Sequence, residues 1–152
     1  MPYPLEIRRA NKADVESVFE IEAAVQKAPW EKRAFTDMQG DEDLYFFVAV
    51  DNASRPVAFI IGMHTDDFLE ILNFAVTPDF QGQGIGSWLF EYALHEAAAA
   101  GIESVRLEVR EGNVPAIALY KAHGLETVGM RRGYYSDNGE NALLMSGLIS
   151  SV

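Results

Sequence analysis

Val76-Thr77-Pro78-Asp79-Phe80-Gln81-Gly82-Gln83-Gly84-Ile85-Gly86-Ser87 leads from the end of an apolar run, through a glycine-rich turn, into a segment with helical periodicity. Glycines at 82, 84 and 86 let successive backbone N–H groups turn to one side, and the start of the following helix adds a partial positive charge. Such a loop can hold a pyrophosphate without lysine. Two phosphate loops are excluded by the residues themselves. A Walker A loop needs a Gly-Lys pair, which the chain lacks, and Ser87 stands where a dinucleotide fingerprint has its third glycine. The spacing that remains is Q-x-x-G-x-G, filled by Gln81, Gly84 and Gly86.

Upstream of this loop, three apolar runs at 44–50, 57–64 and 68–76 are separated by Asp51-Asn52-Ala53-Ser54-Arg55 and by Asp66-Asp67, which predicts an antiparallel meander. Before them, Asn11 and Asp14 can cap a helix over residues 12–25, with Val15, Val18, Phe19, Glu22 and Ala23 at helical spacing. Pro29-Trp30 interrupts, and a short helix follows over 31–38. Downstream, Ile85, Trp88, Leu89, Tyr92, Ala93 and Ala97 mark a helix face that continues to Ala100 and stops at Gly101. Val105, Leu107 and Val109 then alternate with Arg106, Glu108 and Arg110 as in a strand with two unlike faces. A shorter helix starts after Asn113, with Pro115 in its first turn, and ends ahead of Gly124. Strands at 125–132 and 142–149, joined by the polar loop 133–141, complete the order αα-βββ-α-β-α-ββ. This is a mixed α/β chain, read as one domain over residues 1–152.

With 49% apolar and 23% charged residues the chain can bury a core, so general disorder is excluded. Twelve basic against 23 acidic residues leave a net charge of −11, which repels nucleic-acid phosphates and anionic lipid and favours cationic partners. The absence of cysteine removes disulfides, thiolate nucleophiles and cysteine-zinc sites, and fits a reducing cytoplasm. Residues 1–9 hold no apolar core of signal-peptide length, and no apolar run approaches the about 20 residues that span a bilayer. His64, His95 and His123 are dispersed and predict no metal site.

At the Gln81–Gly84–Gly86 spacing the chain resembles the GCN5-related N-acetyltransferases. The resemblance extends through Asn73-Phe74-Ala75-Val76, Leu107-Glu108-Val109-Arg110, residues 113–120 and Arg131-Arg132-Gly133-Tyr134-Tyr135, and these are similar to the RimI-like group within that family. It covers Pro29-Trp30 to Met145. It implies the acetyltransferase fold, a mixed sheet of six to seven strands with helices on both faces. It also implies acetyl-coenzyme A as co-substrate, held by Gln81, Gly82, Gln83, Gly84, Ile85, Gly86 and Ser87 in the splay between the strands at 68–76 and 104–110. The implied acceptor is a protein N-terminal amine, that of a small-subunit ribosomal protein.

Acetyl transfer from a thioester to an amine needs a base for the amine proton, a donor for the carbonyl oxygen and an acid for the leaving sulfur. From alternation alone, Glu108 belongs to a solvated Arg106-Glu108-Arg110 ladder; the resemblance makes it the general base. Tyr120 is helix packing by pattern and the acid by resemblance. Asn113 is a helix cap by pattern and a coenzyme A contact by resemblance, and both uses can coexist. Phe74, Ala75 and Val76 are implied to pair their backbone with the pantetheine arm, with the Val76 N–H a candidate for the oxyanion. Arg131, Tyr134 and Tyr135, otherwise a polar hairpin with snorkelling arginines, are implied to hold the first residues of a peptide. Trp30, otherwise packing, is implied to form the opposite wall. Asn141 stands where many members carry an acidic residue, and the stretch from Tyr135 to Ala142 is shorter than is usual. The rival readings are a small-amine acetyltransferase of the same fold and a non-catalytic acyl-coenzyme A-binding module.

Overall fold

The computed structural model describes residues 5–149. Its elements are β1 (Glu6–Arg9), α1 (Val15–Val25), α2 (Lys32–Gln39), β2 (Leu44–Val50), β3 (Pro56–Thr65), β4 (Phe68–Val76), α3 (Ile85–Ala99), β5 (Ser104–Arg110), α4 (Val114–Ala122), β6 (Glu126–Arg131) and β7 (Ala142–Leu148). The strands form one seven-stranded sheet in the order β1-β2-β3-β4-β5-β7-β6. The chain divides into two compact units, one of residues through His64 with Leu72–Ala93, the other of Thr65–Ile71 with the chain from Leu94 onward.

In the first unit, β2 is the organising strand. Six of its seven residues are buried, because both of its faces are covered, which is why it reads as a continuous apolar run. Phe46, Val48 and Val50 on one face pack with Phe59 and Ile61 of β3 against Val15, Val18 and Ile21 of α1 and Phe35 of α2. Phe47, on the other face, meets Tyr92 of α3 edge-on at 5.1 Å. Helices therefore cover both faces of this part of the sheet, as expected.

The helix anticipated from residue 12 begins with a 3-10 turn, Lys12–Asp14, inside a capping box. Asn11 Oδ1 accepts the Ala13 N–H at 3.0 Å and Asp14 Oδ2 accepts the Asn11 N–H at 2.7 Å. The sequence reading omitted β1. Only Ile7 is apolar in Glu6-Ile7-Arg8-Arg9, so periodicity carries no signal there. The strand is held by long-range contacts instead, antiparallel to β2 from Glu6↔Val50 to Arg9↔Phe47, with a two-pronged Arg8–Asp14 pair at 2.6 and 3.0 Å.

In the second unit, β5 pairs in parallel with the first residues of β4, Phe68↔Ser104 to Ile71↔Leu107, and antiparallel with β7 from Ser104↔Leu148 to Arg110↔Ala142. The predicted alternation holds: Val105, Leu107 and Val109 are buried, and Arg106 and Glu108 are exposed. Gly124, at φ +87°, ends α4 and returns the chain to β6, with the Leu125 N–H donating to Tyr120 O at 3.0 Å.

Gly147 of β7 lies against this turn. A Cβ on it would stand 2.8 Å from Gly124 O and 3.1 Å from Leu125 Cα, both backbone atoms that cannot yield by a rotamer change. Gly147→Ala is expected to lower stability by about 1–3 kcal/mol, seen as a lower urea midpoint at unchanged slope.

Candidate active site

In the first unit, β4 leads through a 3-10 turn, Pro78–Phe80, into the glycine loop and α3. Gly82 and Gly84 adopt left-handed φ values of +76° and +84°, and a Cβ on either would meet nothing within 4 Å. Backbone conformation, not crowding, therefore demands glycine here. The Trp88 N–H donates to Gly84 O at 3.1 Å, so α3 starts at the loop, and its first turn offers N–H groups and the positive end of the helix dipole. No acidic residue stands in that turn. Two left-handed residues next to a helix N-terminus are an arrangement able to take an anion on backbone N–H groups. Gln81 and Gln83 brace the loop: Gln81 Nε2 donates to Val76 O at 2.9 Å and Gln83 Nε2 to Asp79 O at 3.3 Å.

The end of β4 is tied to α1 by a network that sequence reasoning missed. Glu22 is fully buried; its Oε2 accepts the Trp30 N–H at 2.9 Å and its Oε1 accepts Asn73 Nδ2 at 3.0 Å. Asn73 Oδ1 accepts Gln26 Nε2 at 3.1 Å and the Phe74 N–H at 2.9 Å. Burial pushes the Glu22 carboxyl above its ordinary range, against the opposing pull of the Trp30 N–H and the Asn73 and Gln26 amides. The Phe74 ring stacks on Phe90 at 5.9 Å and the Trp30 ring packs on Phe35 at 5.4 Å. The packing role foreseen for Trp30 is present.

In the second unit, Glu108 is not part of an arginine ladder. Arg131 Nε lies 3.4 Å from Glu108 Oε2, Arg106 sits over the Phe68 ring at 4.1 Å, and Arg110 sits over the Tyr135 ring at 3.9 Å. Tyr120 is 7% exposed, and burial first, then Tyr135, pushes its phenol well above the usual range, so at neutral pH it is a proton donor. The Tyr135 phenol is also raised, chiefly by burial; Arg110 opposes this, and Glu108, Tyr134 and Glu140 add to it. Three predicted residues, Glu108, Tyr120 and Tyr135, thus lie within electrostatic reach through Tyr135. Tyr134 is half exposed and meets Tyr135 edge-on at 5.1 Å. Asn113 caps α4, its Oδ1 accepting the Ala116 N–H at 3.3 Å.

Arg110 organises the loop over 133–141, a role the sequence did not reveal. It makes a two-pronged pair with Asp137, both contacts 3.0 Å, and a further contact to Glu140 at 3.4 Å. Glu140 Oε2 also accepts the Gly112 N–H at 2.7 Å, and Asn141 Oδ1 accepts the Gly133 N–H at 2.9 Å. Among the described residues, no group of three or more His, Cys, Asp or Glu side chains is arranged to hold a metal, and no helix is long and apolar enough to cross a membrane.

The model of the Acetyltransferase (GNAT) family matches residues 15–125. The chain belongs to the GNAT family of acetyltransferases. It is 34% identical over 142 residues to the [ribosomal protein bS18]-alanine N-acetyltransferase of Escherichia coli strain K12, covering 92% of this chain and 95% of that protein. To a putative [ribosomal protein bS18]-alanine N-acetyltransferase of Bacillus subtilis it is 32% identical over 139 residues, 91% and 92% of the two chains. The crystal structure of the ribosomal-protein-S18-alanine N-acetyltransferase from Escherichia coli superposes with a TM-score of 0.88 at 33% identity, over 97% of this chain and 96% of that one.

In this GNAT acetyltransferase the glycine loop was legible from local pattern and Glu108 and Tyr120 only from the family resemblance, whereas the polar networks of Glu22, Gln26, Arg110, Asp137 and Glu140 were not legible. Asn73 and Arg110 fell inside quoted motifs, but their partners lie 51 and 27 residues away and leave no local mark. The raised Tyr120 phenol has a spectroscopic consequence. Parent and Tyr120→Phe are expected to show equal tyrosinate absorbance up to about pH 10, where an ordinary phenol is half ionised. An earlier deficit in the variant would contradict the burial of that hydroxyl.

Proposed function

We propose that this acetyltransferase moves the acetyl group of acetyl-coenzyme A to the N-terminal amine of a protein, and that its acceptor is a small-subunit ribosomal protein beginning with alanine. The names of its full-length relatives support this acceptor. One family model running across residues 15–125, in both units, supports reading the chain as a single acetyltransferase domain. The same reading assigns the reaction to the cytoplasm, with neither nucleic acid nor membrane as a direct partner.

The observation that carries the chemistry is the grouping of Glu108, Tyr120 and Tyr135. One carboxylate and two un-ionised phenols answer the needs of attack by an amine on a thioester. Bound acetyl-coenzyme A supplies an activated acyl group, and the N–H groups of Gly82, Gln83, Gly84, Ile85, Gly86 and Ser87 hold its diphosphate. Of the three residues implied to pair with its pantetheine arm, Phe74 and Val76 direct backbone groups to the edge away from β3, whereas those of Ala75 point toward β3; Asn113, whose Oδ1 is used in the cap, offers its Nδ2. The acceptor amine, with a pKa near 7.7–8.0, must shed a proton to become nucleophilic. That first proton passes to solvent; as the C–N bond forms the nitrogen becomes cationic again, and Glu108 accepts its second proton, directly or through water, and later returns it to solvent. The Val76 N–H is the donor assigned to the carbonyl oxygen. As the C–S bond breaks, Tyr120 gives its phenolic proton to the sulfur and recovers one from solvent. No acyl-enzyme is required. Trp30, Arg131, Tyr134 and Tyr135 contact the first residues of the acceptor.

Glu108→Gln and Tyr120→Phe are each expected to cut kcat roughly 10²–10⁴-fold while coenzyme A still binds by calorimetry. Retention of parental turnover in both would remove them from the mechanism. Mass spectrometry on alanine-first peptides beside polyamines and amino sugars tests the acceptor. Acetylation confined to the small amines would overturn the protein-acceptor reading.

A further inference from the structure

Two acidic side chains are buried among the described residues, and they are stabilised differently. Asp14 is matched by Arg8. Glu22, with no exposed surface, has no cation beside it among the described residues, and its oxygens are met by neutral donors, the Trp30 N–H, the Asn73 amide and the Gln26 amide. Burying a carboxylate without a counter-ion is costly, and an apolar side chain would fill the same volume without that penalty. What it gains here is geometric. Its two oxygens join the backbone at Trp30, beyond α1, to β4, and the linkage continues through Asn73 to Gln26 and to the Phe74 N–H.

Donors and acceptors alternate strictly along this path. Asn73 can face Glu22 only with Nδ2, because its Oδ1 is already occupied by two donors. The Thr77 N–H donates to Val57 O at 2.8 Å, so residues 73, 75 and 77 direct their backbone groups toward β3, and residues 74 and 76 direct theirs to the opposite edge. The Phe74 N–H held by Asn73 therefore belongs to the edge that also carries the Val76 N–H.

We infer that Glu22 is a positioning residue for acetyl transfer: one buried carboxylate sets the Trp30 backbone and, through Asn73, the orientation of the backbone edge at Phe74 and Val76. This rests on the transfer reaction proposed above. Glu22 touches neither substrate; it acts by fixing the groups that do.

The alternation suggests a test in which polarity is reversed and then restored. Glu22→Gln leaves one oxygen for the Trp30, Asn73 and Gln26 donors, and Asn73→Asp sets two carboxylates against each other. Combining them moves the charge by one step and restores the Trp30 and position-73 contacts: the amide introduced at position 22 accepts from the Trp30 N–H and donates to the carboxylate introduced at position 73, which keeps the Gln26 amide and the Phe74 N–H. Each single variant is expected to lower kcat/KM for an alanine-first peptide about 10- to 100-fold, with KM raised. The double variant should return to within about threefold of the parent. A purely structural role would lower the thermal midpoint and leave KM of the folded fraction unchanged. Amide hydrogen exchange supplies a readout free of activity: Glu22→Gln should lose protection at Trp30 or Phe74, and the double variant should regain it. Folded single variants with parental kcat/KM, or a double variant no better than the worse single, overturn the inference. If Glu22→Gln does not fold, the double variant decides: folded and active supports the clamp, unfolded overturns it. If the parent acetylates no peptide, the proposed function fails separately, and unchanged protection of Trp30 and Phe74 in Glu22→Gln then overturns the clamp by itself.

Discussion

The turn from β4 into α3 must pass through two left-handed residues, and the presentation of the α3 N-terminus depends on it. Gly82 and Gly84 supply those conformations, which cost any residue with a Cβ about 1–2 kcal/mol each. The constraint matters more in this chain than in a basic one. With a net charge of −11 the long-range field opposes an anionic ligand, and no lysine or arginine stands between Val76 and Ser87 to offset it locally. Binding of a diphosphate must come from short-range dipoles, the backbone N–H groups and the helix end. Gln81 and Gln83 serve this arrangement by holding the loop to Val76 O and Asp79 O.

The features legible in the sequence are those whose physics is local. Alternation along residues 104–110 reports a strand with one buried face; Asn113 and Pro115 report a helix start; the glycines report a turn of fixed handedness. Features made by partners far apart were silent. β1 carries a single apolar residue and exists because β2 offers it an edge and Asp14 a partner for Arg8. Glu22 falls on the helix face marked by Val15, Val18 and Phe19, but nothing in its neighbours announces the donors at Trp30 and Asn73 that fill its oxygens. Arg110 reads as a solvated strand residue until Asp137 and Glu140 approach it from a loop 27 and 30 residues on.

The units fix their polar groups by opposite means. Around Glu22 a buried negative charge is surrounded by neutral donors, whereas around Arg110 a mostly buried positive charge is met by two carboxylates and the face of Tyr135. Both arrangements leave little rotational freedom, because each side chain satisfies several partners whose positions are set by different elements. The loop over 133–141 would otherwise be a largely exposed polar excursion. Anchored at Arg110, it holds Tyr135 where Glu108 helps to raise its phenol and where it in turn helps to raise that of Tyr120.

Glu108 itself is held less firmly, and this suits a base. Its partner Arg131 is more than half exposed, at 3.4 Å. A surface pair of that kind contributes about 0–1 kcal/mol, so little free energy opposes its opening. In the proposed reaction the acceptor arrives largely as an ammonium, a cation of the same charge as the guanidinium it displaces. The exchange of one cation for another at the carboxylate leaves the local charge balance unchanged. The difference lies in the proton: arginine keeps its own at any physiological pH, while the α-ammonium can surrender one. In the proposed reaction Arg131 occupies the Glu108 carboxylate until the acceptor replaces it with a cation able to lose a proton.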